Sequence, residues 1–318
     1  MTLQIVLLIV GLVLIILGAN YLVDGASSIA KRSGLSEFVI GLTIVGIGTS
    51  TPEMVVSLVS AFNGEAEMAV GNVVGSNIFN TFGILGITAL IAPVAITKAN
   101  LKRDVPINII VTTLMIVLGL SLTIFGYGKN TLNFWDGMIL FSIFIWYLIS
   151  SLKKGKVQDD EESQIKQFST PVSIILILIG IAGLVFGGRM FVNSATSLAE
   201  MAGISKNFIA VTIFALGTSM PELATSVVAA MKGRNQLALG NILGSNIFNI
   251  TLILGGSAML TPLSLDGMNL VDLWVVLLAA ILIMTSAYTF RKKEIDRIEG
   301  VIFILLEIAY MWYLIANL

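Results

Sequence analysis

The chain has 318 residues, of which 56% are hydrophobic and 12% charged, with a net charge of −1. A soluble domain carries about a quarter charged residues, and here the charges bunch between long apolar runs, so a water-soluble fold is excluded, and nothing in the net charge points to nucleic acid or an acidic partner. There is no cysteine and no histidine, which excludes disulfides and thiolate metal sites and removes the side chain most often used to carry protons near neutral pH.

Apolar runs long enough to cross a bilayer fall at 3–23, 36–61, 67–92, 105–127, 133–151, 171–192, 205–231, 236–261, 268–289 and 297–317, which predicts ten helices. The first lacks the cationic start of a signal peptide, since Met1–Gln4 is uncharged, and reads as a retained span. If odd-numbered loops face the cytoplasm they hold 15 of the 18 basic residues, leaving Lys129, Arg189 and Lys206 on the other side. The positive-inside rule then places both termini outside the cell. The connector Ser151–Thr170 carries Asp159, Asp160, Glu161 and Glu162. It reads as a solvated cytoplasmic linker, with a calcium-sensing loop as the alternative.

The second predicted helix contains Gly48-Thr49-Ser50-Thr51-Pro52-Glu53. Proline has no N–H and clashes with the carbonyl four residues back, so Pro52 releases the carbonyl of Gly48. Unpaired backbone at membrane depth is tolerated where it is buried in protein or lines a cavity. Helical spacing puts Thr49 and Ser50 on the same face as Glu53. A charge at the bilayer centre costs at least ~2.5–3.5 kcal/mol, which a bound cation would offset; a protonated structural carboxyl is the alternative. The third helix contains Gly71-Asn72 and Gly75-Ser76-Asn77-Ile78-Phe79-Asn80. Gly71 and Gly75 are spaced for close helix packing, and Asn72, Ser76 and Asn80 form a polar stripe.

Displacing the sequence by 169 residues superposes the second half on the first. Between 41–80 and 210–249, 20 of 40 positions are identical, including Pro221 and the polar Thr218, Ser219, Glu222, Asn241, Ser245, Asn246 and Asn249. Chance likeness between apolar helices would match Leu, Val and Ile instead. Five helices per copy is an odd number, so the copies enter the membrane from opposite sides. That predicts an all-α integral membrane protein of two inverted-topology five-helix repeats, at 1–150 and 171–318 around a linker at 151–170, an architecture of secondary transporters with midplane sites. Two carboxylates among hydroxyl, amide and carbonyl oxygens suit calcium or sodium. For Asn72, Asn77, Asn241 and Asn246 the residues alone leave two readings open, ion ligands or ties between helices.

At GTSTPE (48–53), GNVVGSNIFN (71–80), GTSMPE (217–222) and GNILGSNIFN (240–249) the chain resembles the sodium/calcium exchanger family. The resemblance implies antiport of calcium against sodium by alternating access, with no cofactor, no obligatory protein partner and no enzymatic activity. By motif position it implies calcium ligands at Thr49, Glu53, Thr218 and Glu222. It implies sodium ligands at Gly46, Ser50, Ser76, Ala215, Ser219 and Ser245, shared with the two glutamates, and places Asn80 and Asn249 in the middle of the site. Helices one and six would slide across the core. Some relatives have aspartate where this chain has Asn249, which argues against potassium co-transport. A proton-coupled exchanger, which in such relatives uses an acid-histidine motif, is the nearest alternative reading, and a passive cation channel is a second.

Overall fold

The computed structural model describes residues 1–126, 128–154, 167–204, 215–291 and 293–317. The acidic run 159–162 and the predicted start of the seventh helix, 205–214, lie outside the described residues.

Helix α1 (Thr2–Ser33) continues well past the apolar run that predicts it. Its last third is rich in small residues, and Ala26, Ser27, Ser28 and Ala30 are buried against other helices, so packing sustains the helix where hydropathy fades. Lys31 and Arg32 lie in its last turn, favourable to the negative helix end. Gly34 stops it at φ 66°, with its N–H bonded to the Ala30 carbonyl. Next come α2 (Glu37–Thr49) and α3 (Thr51–Phe62), inclined to each other by 48°. The Ser36 hydroxyl caps α2 by accepting from the Val39 N–H at 3.3 Å.

Helix α4 (Ala66–Ile91) is followed by α5 (Val105–Gly119) and α6 (Phe134–Lys154). The second half runs α7 (Thr170–Met201), α8 (Ala215–Thr218), α9 (Met220–Met231) and α10 (Asn235–Leu260). It closes with α11 (Leu270–Ser286) and α12 (Arg297–Ala316). Among the described residues six helices are long and apolar enough to cross a membrane, and the bent pair α2–α3 makes a seventh. The predicted span 105–127 is shorter as a helix, because the backbone turns out of α geometry at Leu120 (φ −108°, ψ 32°).

Two pairs of contacts organise the bundle. Helices α1 and α7 pack antiparallel along a seam of glycines. A Cβ on Gly18 would lie 2.8 Å from the Gly180 carbonyl oxygen, and one on Gly11 would lie 2.8 Å from the Phe191 nitrogen. No larger residue fits a backbone approach this close. Helix α10 is the centre of the molecule. Its apolar stretch is 94% buried, against 22% for α1. It is laid against α2, where a Cβ on Gly244 would lie 2.7 Å from the Leu42 Cα. The segment that would correspond to α2 opposite Gly71 and Gly75 lies outside the described residues.

Short antiparallel ladders join loops of the two halves. Strand β1 (Val94–Ala95) pairs with β4 (Glu294–Ile295), and β2 (Thr131–Leu132) pairs with β3 (Leu263–Ser264). Each ladder therefore links a loop before residue 150 to one after residue 170. Exposed Leu3, Val6, Ile9, Val13 and Ile16 on α1, with Trp146 on α6 and Trp312 on α12, give the outside an apolar surface suited to lipid.

Candidate cation site

The site begins with two helix breaks. Ser50 separates α2 from α3 at φ −77° and ψ 9°, and Ser219 separates α8 from α9 at φ −88° and ψ 8°. Pro52 and Pro221 occupy the first turn after each break. Lacking an N–H, they leave the Gly48 and Gly217 carbonyls without an intrahelical donor. The new helix starts carry Glu53 and Glu222 in their first turns, where the helix dipole favours a negative charge.

The two breaks then meet. The Ser50 hydroxyl donates to Glu222 Oε1 at 2.9 Å, and the Ser219 hydroxyl donates to Glu53 Oε1 at 3.0 Å. Each serine also lies against the matching serine of the other half, Ser50 with Ser245 at 2.9 Å and Ser219 with Ser76 at 3.2 Å. Glu53 and Glu222 are each only 1% exposed. Their second oxygens, both Oε2, have no hydrogen-bond partner, and neither does Oδ1 of Asn80 or of Asn249. Four buried acceptors, two from each half at duplicated positions, are thus left unsatisfied, and buried acceptors are rarely left so. The widened π turns Asn80–Leu85 in α4 and Asn249–Leu254 in α10 start at these asparagines, a helix irregularity that recurs at functional sites.

Not every candidate offers a free oxygen. The Gly46 carbonyl accepts from the Ser50 N–H at 3.0 Å and lies 3.3 Å from the Thr49 hydroxyl. Thr49 is also 3.0 Å from Asn241 Oδ1. Thr218 is buried beside a crevice. Ala215 opens α8, and its side chain is outside the description.

The four ambiguous asparagines act as ties. Asn72 Nδ2 donates to the Glu53 carbonyl at 3.3 Å and to Ser57 at 3.0 Å; Asn241 does the same to the Glu222 carbonyl at 3.4 Å and to Ser226 at 3.0 Å. Asn77 donates to the Asn246 carbonyl, and Asn246 to Thr81, both at 3.0 Å. Their remaining amide oxygens hold the site asparagines: Asn80 donates to Asn246 at 3.1 Å and Asn249 to Asn77 at 3.0 Å. This leaves the free Oδ1 of Asn80 and Asn249 fixed in place.

Ser57 and Ser226 are identical across the repeat but stand outside the motifs, so only the duplication marks them in the sequence. The sequence motifs mark Glu53 and Glu222 as the buried acids of the repeat. Glu307 is a third, midway along α12 and 8% exposed, with Oε2 unpartnered. It has no acidic counterpart in the first half, so the duplication gave no signal for it.

No group of three or more acids that could hold a metal occurs among the described residues. The site is two carboxylates in a setting of neutral oxygens, a donor set for a hard cation. A crevice of about 250 Å³, lined by Pro52, Val56, Val192, Asn193, Thr218 and Pro221 among others, reaches it between α3 and α7.

The profile of the family described as sodium/calcium exchanger protein matches residues 3–153 and 172–316. The putative antiporter CaxA of Alkalimonas amylolytica is 35% identical over 325 residues, covering 98% of both chains. The sodium/calcium exchanger MaX1 of Methanosarcina acetivorans is 34% identical over 343 residues, again covering 98% of both. The structure superposes on that of the sodium-calcium exchanger NCX_Mj soaked with 2.5 mM Na+ and 0.1 mM Ca2+, with a TM-score of 0.83 and 30% identity. That match covers 96% of this chain and 97% of the other.

Proposed function

Since the chain belongs to the sodium/calcium exchanger protein family, a family of membrane transporters, we propose that it is an antiporter that exchanges calcium for sodium by alternating access. Ten helices form two inverted five-helix repeats, 1–150 and 171–318, joined by a cytoplasmic linker at 151–170, with both termini outside. The ions bind near the midplane, where the repeats meet.

One observation carries this reading: the unpartnered Oε2 atoms of Glu53 and Glu222 and the unpartnered Oδ1 atoms of Asn80 and Asn249, all on residues 1% exposed. Two carboxylates neutralise one divalent ion, and the amide oxygens add neutral ligands without adding charge. In the same shell Thr49 and Thr218 complete the calcium site. Ser50, Ser76, Ser219 and Ser245, with the backbone at Gly46 and Ala215, form the sodium sites. When sodium replaces calcium, the serine hydroxyls that donate to the glutamates rotate to coordinate the smaller charge, so both ions use one set of acids in turn. Competition for shared ligands is what makes the transport an exchange.

Calcium uptake into proteoliposomes tests the reading, with sodium, proton and potassium gradients imposed one at a time. Uptake driven by the sodium gradient alone is the expected result. Uptake driven by the proton gradient would assign a proton-coupled exchanger instead, and flux without any counter-ion would assign a channel.

A further inference from the structure

The duplicated halves differ where the outer helices meet the core, and the difference is one of charge. On one face, Asp24 of α1 forms an ion pair with Lys232, just after α9, at 2.6 Å. The same Lys232 ammonium donates to the Asn20 carbonyl at 3.2 Å. The 169-residue displacement carries Asp24 to Asn193 and Lys232 to Asn63. The equivalent position on the other face is therefore two neutral amides, with no ion pair available.

Packing follows the charge. Helix α1 lies against α9, and Thr225 of α9 is buried at 0% exposure. On the other face its counterpart Val56 lines the crevice together with Pro52 and Pro221, and α7 borders it through Leu184, Gly188, Val192 and Asn193. Both Pro52 and Val56 are only partly buried. One side of the site is shut where the ion pair exists; the other is open where its duplicate is missing.

We propose that Asp24 and Lys232 form a latch that holds α1 closed over the core on one face, and that the neutral pair Asn63 and Asn193 leaves α7 unlatched on the other. The two outer helices are locked together along their glycine seam, so they move as one body relative to the core. A latch on one end of that body then sets which face of the site is open at rest. An ion pair made in one conformation and broken in the other biases their populations by its own differential free energy, and nothing else need change. The inference rests on the alternating access proposed above.

The chain has no cysteine, so single cysteines report each face without background. With Val56→Cys on the open face and Thr225→Cys on the shut face, the labelling rate by a polar maleimide is measured in detergent, in sodium and in calcium. Asp24→Asn is expected to slow labelling at 56 several-fold and to speed it at 225. The charge swap Asp24→Lys with Lys232→Asp restores both rates. Installing the missing latch, Asn63→Lys with Asn193→Asp, slows labelling at 56 in the otherwise native chain, and this arm stands alone should Asp24→Asn fail to purify as folded protein. Unchanged rates in the loss and gain variants, or a swap that fails to restore them, overturn the latch. Labelling of the parent chain that ignores both ions rejects alternating access itself, which separates the two failures.

Discussion

The residues around the site divide by what their polar atoms touch. Asn241 makes three buried hydrogen bonds: to the Glu222 carbonyl, to Ser226 and from Thr49. Asn241→Leu strands those partners, and each buried group left unsatisfied costs about 1–3 kcal/mol. Thermal unfolding in detergent should show a clear loss of stability as well as lost exchange. Glu307 has an unpartnered Oε2 and no hydrogen bond among the described residues. Glu307→Gln should leave both exchange and melting temperature near the parent values. A drop in exchange with folding intact would bring Glu307 into the transport machinery. The contrast also marks what sequence alone conveys. Duplication made Glu53, Glu222, Asn80 and Asn249 stand out as costly residues kept twice. It did not say which asparagine keeps a free oxygen and which ties two helices, because Asn72 and Asn80 have the same side chain and differ only in what folding places beside them. A single acid such as Glu307 leaves no such trace.

At the scale of elements, the breaks in the second helix of each half were legible from Pro52 and Pro221, since proline's missing N–H acts locally. The length of α1 was not. Its last turns are held by tertiary packing of Ala26, Ser28 and Ala30, which a hydropathy window cannot see. The seam between α1 and α7 was equally hidden, because a glycine in a span reads only as small until its partner is known. Gly18 meets the backbone of Gly180, and Gly18→Leu must push the helices apart. Overpacking of this kind costs about 1–3 kcal/mol. Since the seam lies outside the proposed ion site, the expected phenotype is slowed exchange with calcium binding retained. Loss of binding together with exchange would show that the seam shapes the site directly.

For the whole molecule, two halves that each contribute a broken helix and a polar stripe give a site that belongs to neither alone. The cross-half bonds Ser50 to Glu222 and Ser219 to Glu53 make that interdependence explicit. The ladders β1–β4 and β2–β3 fasten the same halves at their loops. The orientation proposed from the basic loops makes a prediction: reporter fusions at either terminus should be active only when the reporter works outside the cytoplasm. A C-terminal fluorescent fusion that matures in the cytoplasm would reverse the assigned topology.

Equilibrium binding of radioactive calcium to the purified protein probes the paired glutamates most directly. The parent chain should bind calcium and release it on adding sodium, while Glu53→Gln and Glu222→Gln, each confirmed monodisperse, should both lose binding. Calcium held at parental affinity by either variant would show that the two carboxylates do not share one cation.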